Sequence, residues 1–140
     1  MTFEKIAFVG EDNAGASQLA IALSEDECAR RTLDFEVITG GIAPGDDVQD
    51  AVVTVLAEDG IDIDGRTPRE IRDDDLRGTD YIVTIDCSIC DFKPTFWRGP
   101  AERWDLEHSE AVSVEAAREQ REEIRTRVEQ LFSDLERMSG

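Results

Sequence analysis

Three segments of this 140-residue chain carry residue types that could do chemistry. The first is Gly10-Glu11-Asp12-Asn13-Ala14-Gly15-Ala16-Ser17, between a short apolar run and a helix-forming stretch. A loop of small residues at a helix start offers several backbone N–H groups at the positive end of the helix dipole, a cradle for an anion. Glu11 and Asp12 would oppose that anion if they point inward, and without a ligand the same residues make a tight turn. The second segment is Cys87-Ser88-Ile89-Cys90. A C-x-x-C pair becomes redox-active when a helix N-terminus lowers a thiol pKa. Nothing predicts a helix starting at Cys87, so two reduced or structural thiols are the plainer expectation. The third is His108, the only histidine, which could serve as an acid near neutral pH.

Two metal sets can be assembled from these residues. Cys87, Cys90, Cys28 and His108 make four zinc ligands, but only one pair has ligand spacing, where structural zinc sites usually show two. Glu11, Asp12 and Asp86 each follow a strand end and could hold magnesium. They are more simply part of a shell of 33 acidic residues. No metal or cofactor is therefore expected. Trp97, Trp104, Phe92 and Phe96 share the stretch around the C-x-x-C pair and His108. Such aromatics cover a site, mark a partner surface or, most simply, pin the loop to the core.

Alternating strand and helix signals must position these groups, and they predict an α/β fold around a parallel sheet. Ile6 to Val9 reads as a buried strand ending at Gly10. Ser17 can cap a helix to about Leu33, with Leu19, Ala20 and Leu23 inward. Phe35 to Thr39 is the second strand, closed by Gly40-Gly41. Asp46 or Asp47 caps a helix to about Asp59, ended by Gly60. Ile61 to Ile63 reads as a short third strand, Arg66 to Arg77 as irregular with one helical turn, and Tyr81 to Ile85 as the fourth strand. Asp86 to Glu110 is a long connection, of the length that usually carries function. The last helix runs from about Val114 to Met138, with Ile124, Val128, Leu131, Leu135 and Met138 on one face. Residues 1–140 are expected to form a single domain.

Composition limits the partners. The 33 acidic residues against 15 basic ones leave a net charge of −18, and lysine occurs only at Lys5 and Lys93. Such a chain repels nucleic-acid phosphates and anionic membranes, so neither is an expected partner. The acids alternate with apolar periods such as Val48, Val52, Val55 and Leu56, which marks a folded domain with an acidic shell rather than a disordered tail. A shell of this kind holds hydrated cations and suits a salty cytoplasm. The absence of a charged-then-apolar leader, the lack of any long apolar run and an odd cysteine count all favour the cytosol.

The order of these residues resembles a known family: the low-molecular-weight protein tyrosine phosphatases, with the thioredoxin-coupled arsenate reductases that share their fold. Its signature, V-C-x-x-N-x-x-R-S and then often Q-M-A, lines up with Val9-Gly10-Glu11-Asp12-Asn13-Ala14-Gly15-Ala16-Ser17-Gln18-Leu19-Ala20. Thr39-Gly40-Gly41 is similar to the family's S-A-G. Gly60-Ile61-Asp62-Ile63, Arg66-Thr67-Pro68-Arg69, Asp80 to Thr84 and Trp104-Asp105-Leu106 resemble the arsenate-reductase branch. The resemblance implies a three-layer sandwich with a four-stranded parallel sheet. It also implies that the first strand and the Tyr81–Ile85 strand are not adjacent, which separates Asp86 from Glu11 and Asp12.

The same alignment implies a change of function. Gly10 stands where the family has its nucleophilic cysteine, and Ala16 where it has the arginine that clamps the oxyanion. His108, followed by Ser109, falls where the family's general acid precedes a proline. Cys87 matches the first resolving thiol of the reductases. Lys93 stands nearest the second, unless Cys90 has taken its place. The expectation is a catalytically degraded homologue that acts as a binding or regulatory protein, with weak or no phosphate or arsenate binding. Its partner is another protein, or a second copy, met through the 86–110 loop. The alternative is an active phosphatase or arsenate reductase that uses the Cys87 and Cys90 thiols.

The acidic shell carries its own prediction. Self-repulsion of the −18 charge is screened by salt, so the melting temperature should rise steadily from dilute buffer to molar potassium chloride. A scanning calorimetry series in salt checks this, and a flat or falling series would remove the argument for a salt-adapted surface.

Overall fold

The structure is a computed structural model that describes residues 4–86, 101–106 and 113–139. Its centre is β1 (Lys5–Gly10), flanked by β2 (Glu36–Gly41) and β3 (Tyr81–Ile85), with β4 (Ala101–Trp104) outside β3. The order is β2-β1-β3-β4 and every pairing is parallel. A central parallel strand is covered on both faces, which requires a continuous apolar run. Ile6-Ala7-Phe8-Val9 supplies it, each residue fully buried.

Alternation along the strand then divides the core in two. Ile6 and Phe8, with Val83 and Ile85, face α1 (Ala16–Arg31), α2 (Asp50–Glu58) and α4 (Val114–Ser139). Leu19, Leu23, Val52, Val55, Ile124 and Phe132 complete that larger core. Ala7, Val9 and Ile82 face the opposite side, where Ile71 and Leu76 cover them. Among the described residues, the helix on that side is α3 (Asp73–Leu76), a single turn. α1 lies against β1, β2, α2 and α4, so even Ser17, Gln18 and Ser24 are buried along with its apolar residues.

The sheet has the expected number of strands but not the expected members. Ile61 to Ile63 is not a strand: the segment runs irregularly, with Ile63 buried in the larger core. Three residues after a helix end are enough to bury one side chain without pairing to a strand. The fourth strand is Ala101–Trp104, inside the stretch read from the sequence as a long connection. Its Ala-Glu-Arg-Trp buries only the tryptophan, so it lacks apolar alternation, and pairing with β3 is what makes it a strand. β1 also pairs directly with Tyr81–Ile85, contrary to the expected separation.

Helix boundaries differ where caps were misassigned. α1 starts at Ala16 with Gly15 as its N-cap, which has no side chain to make a cap bond, and Ser17 lies inside the first turn with its hydroxyl accepting from Asn13. α2 is preceded by Gln49, not Asp46 or Asp47. Gly40 and Gly41 belong to β2 and do not close it. Gly60, at φ +78°, does follow the end of α2, where the left-handed backbone favours glycine.

Arginines fasten α4 to α1 and α2. Arg118 and Arg121 both grip Glu58, and Arg121 and Arg125 both reach Asp59. Arg121 also donates to the Val55 carbonyl at 2.9 Å. At the other end, Arg31 bonds the nearly buried Glu27 on its own helix and Glu136 on α4. Two carboxylates at the negative end of α2 oppose the helix dipole, and three guanidiniums offset them. Cys28 sits in the larger core, where burial pushes its thiol up to about 11. It is an inert core residue at neutral pH.

The hydrogen bonds from Arg118 hold the Glu58 carboxyl down at about 2, against an ordinary value of 4.5. A depressed folded-state pKa contributes stability above the unfolded value that is lost on acidification. Glu58→Gln should therefore lower the melting temperature at pH 7. The deficit should shrink as pH falls from 4.5 toward about 2. Parallel melting curves across that window test it, and an undiminished deficit at the acid end would assign the effect to packing.

Candidate functional site

The Gly10–Ser17 loop crosses the carboxyl end of β1, at the sheet's middle, where open α/β folds place ligands. Its path is set from outside. The N–H groups of Ile42, Ala43, Gly45 and Gln49 donate to the carbonyls of Gly10, Glu11, Asp12 and Ala14 at 2.8–3.1 Å. In a trans peptide the following N–H points opposite its carbonyl. The N–H groups of Asp12 and Gly15 are therefore turned away from the 42–49 segment. Those of Ala16 and Ser17 open the first turn of α1, where no intrahelical acceptor exists. None of these four N–H groups meets an acceptor among the described residues.

Asn13 holds the loop together from inside. It is fully buried and has φ +55°, a conformation asparagine tolerates better than most residues. Its Nδ2 donates to Ser17 Oγ and Thr39 Oγ1, both at 2.9 Å. Its Oδ1 accepts from Arg69 N at 3.0 Å and Gln18 Nε2 at 3.1 Å, and Gln18 Nε2 also reaches the Asn13 carbonyl. Thr39 in turn donates to the Phe8 carbonyl, which ties the loop to β1. Arg69 adds a bond from Nη1 to the Thr39 carbonyl and one from Nη2 to Asp75.

Close approach explains the paired glycines. A Cβ on Gly40 would lie 2.9 Å from the Ile71 backbone, and one on Gly41 2.9 Å from the Glu11 carbonyl oxygen. The Arg69–Ile71 segment can then bridge to Gly41 through bonds in both directions. Gly10 differs: a Cβ there would meet Ser17 Oγ at 2.9 Å, the movable end of a side chain.

The loop thus has an anion cradle's backbone but little reactive side chain. Gly10 and Ala16 end β1 and begin α1 without a functional group. Ser17 is 3% exposed and hydrogen-bonded to Asn13. Glu11 and Asp12 are exposed, and Asp12 Oδ1 accepts the Ala14 N–H at 3.1 Å. The magnesium set is not assembled. Asp86 instead takes the Leu106 N–H on Oδ1 and donates its own N–H to the Trp104 carbonyl, both at 2.8 Å. Among the described residues no three His, Cys, Asp or Glu side chains form a metal-holding group. Of the zinc set only Cys28 is described, within the core of α1. Cys87, Cys90, His108, Phe92, Phe96 and Trp97 lie outside the described residues. Trp104 pins its strand as expected, 1% exposed, with its ring 5.7 Å from that of Phe8.

Sequence reasoning missed Asn13, Thr39 and Arg69 as one connected unit. The signal was present in the polar residues beside the glycine pair, but their partners are 26 and 56 residues from Asn13. Asn13→Ala should strand Ser17, Thr39 and the Arg69 N–H and disfavour the left-handed backbone, costing about 3 kcal/mol in all. Urea denaturation measures this, and a loss within a few tenths would show the network to be dispensable.

A family description, "Low molecular weight phosphotyrosine protein phosphatase", matches residues 5–139. A Halobacterium salinarum protein named "Putative arsenate reductase" is 37% identical over 133 residues, covering 94% of this chain and 92% of its own. The Corynebacterium glutamicum thioredoxin-dependent arsenate reductase Cg_ArsC1' superposes with a TM-score of 0.76 at 26% identity. That match covers 97% of this chain, which spans only 63% of the Corynebacterium chain. YfkJ from Bacillus subtilis superposes with a TM-score of 0.80 at 21% identity, covering 100% of this chain and 99% of its own. No helix among the described residues is long and apolar enough to cross a membrane. With the four-stranded parallel sheet and the loop between β1 and α1 in place, the chain belongs to the low molecular weight phosphotyrosine protein phosphatase family, in which its relatives include proteins named as arsenate reductases.

Proposed function

We propose that this chain is a non-catalytic member of the family, a binding or regulatory protein of a salt-rich cytosol that keeps the family's shape. The observation that carries the reading is the pair Gly10 and Ala16 at the two ends of the loop. A phosphoryl or arsenate acceptor needs a nucleophile, and a dianion entering the loop needs a cation to offset its charge. Neither end provides one. Loss of a nucleophile alone costs many orders of magnitude in rate. The surviving Asn13 network supports a loop kept for shape, and the aromatic 86–110 stretch is the expected contact with a protein partner or a second copy. The halobacterial relative supports the salt-rich setting.

A second reading takes its support from that relative's name and from the C-x-x-C pair: an arsenate reductase working through Cys87 and Cys90. Cys87→Ser would abolish such an activity and leave a binding function intact.

Aryl-phosphate turnover in molar potassium chloride tests the non-catalytic reading when a Gly10→Cys, Ala16→Arg double variant is run beside the unsubstituted protein. The new Cβ at position 10 requires Ser17 Oγ to rotate, at the expense of its bond from Asn13. The unsubstituted protein should show no turnover above background, and the double variant should show some. Turnover by the unsubstituted protein, abolished by a loop substitution, would overturn the non-catalytic reading.

A further inference from the structure

We infer that Ser17 takes up the room that a side chain at residue 10 would need, so that the loop is built for glycine there and a reactive group returns without strain only together with a change at residue 17. This deepens the non-catalytic reading and rests on its placement of Gly10 at the loop's reactive end. Backbone conformation does not call for glycine at this position. The described glycines with a left-handed backbone are Gly60, Gly65 and Gly78, and Gly10 is not among them. It is the last residue of β1, paired with Gly41 of β2. On backbone grounds alone, alanine there would be neutral or stabilising, because it narrows the unfolded ensemble.

What requires glycine is close approach. Alternation along β1 turns residue 10 to the same side as Ile6 and Phe8, toward α1. A Cβ there would stand 2.9 Å from Ser17 Oγ and 3.1 Å from Ser17 Cβ. Non-bonded carbons settle at about 3.5–4.0 Å, so both atoms are too near. Neither is free to yield. The Ser17 hydroxyl accepts from Asn13 Nδ2 at 2.9 Å, and both residues are buried, so turning it away strands that N–H. The Ser17 Cβ moves only with the first turn of α1. That turn is fixed by the Gln18 and Leu19 N–H groups on the Gly15 carbonyl, and by Gln18 Nε2 on the Asn13 carbonyl. Leu19 and Ala20 behind it are fully buried in the larger core. The start of α1 is thus seated against the end of β1 more closely than a side chain at residue 10 permits. The two ends of the loop are coupled. Glycine at 10 lets Ser17 keep its bond from Asn13, and that bond holds the serine where it excludes a larger residue at 10.

Thermal melting of the full chain at one fixed potassium chloride concentration tests this through a double-mutant cycle. Gly10→Ala should lower the melting temperature by at least about 4 °C, the scale of overpacking in a domain of this size. The same substitution should cost less in a Ser17→Ala background, where the hydroxyl and its bond are already gone. It should cost least in a Ser17→Gly background, where the Cβ is gone as well. Gly10→Cys should follow the same order, which carries the result to the reactive group itself. If Gly10→Ala melts at or above the unsubstituted protein, or if its deficit is undiminished in the Ser17→Gly background, the inference is overturned. If Gly10→Ala does not fold, the pair with Ser17→Gly decides: recovery of folding supports the inference, and failure to recover overturns it. Turnover plays no part in this readout and alone decides the non-catalytic reading, so the failure of one is distinguishable from the failure of the other.

Discussion

The arrangement around the loop depends on one buried amide. Asn13 uses both hydrogens of its side-chain nitrogen and takes two donors on its side-chain oxygen, which leaves it fully satisfied at zero exposure. A buried polar group in that state rigidifies its surroundings, because every alternative leaves something unpaired. Through it the start of α1, the end of β2 and the Arg69 segment are held in one geometry. The left-handed backbone at Asn13 is the local strain this network maintains.

Held this way, the loop has a defined inner and outer side. The outer side is the row of carbonyls bound by the 42–49 segment, and the inner side is the set of N–H groups left over. The backbone alone is therefore pre-organised for negative charge, with no contribution from catalytic side chains. The loop's own side chains include the exposed carboxylates of Glu11 and Asp12, with glycine at position 10 and alanine at position 16. The support of the loop lies in Asn13, Thr39, Gly41 and Arg69, apart from residues 10 and 16 at its two ends.

Charge shapes the rest of the molecule as well. With almost no lysine, planar guanidiniums make nearly all the ion pairs, and one arginine can reach two carboxylates or a carboxylate and a carbonyl, as Arg121 and Arg31 do. Exposed pairs of this kind are individually weak. Among the described residues some of them join α4 to α2 and to α1, beside the apolar stripe of α4.

By itself the sequence determined the parts governed by local rules. The buried run of β1, the Tyr81–Ile85 strand, the glycine after α2, the single turn near Asp73 and the amphipathic stripe of α4 were legible because periodicity and turn chemistry act over a few residues. So were the residues bracketing the loop, and with them the family. Tertiary structure decided what depends on distant partners. Ala101–Trp104 is a strand because β3 offers an edge, and Ile61–Ile63 is not one although its residue types would suit. Asp86 fastens Leu106 instead of joining Glu11 and Asp12. The roles of Asn13, Thr39 and Arg69 emerge only when chain segments far apart in sequence are packed together, since a hydrogen bond between them leaves no periodic trace along the chain.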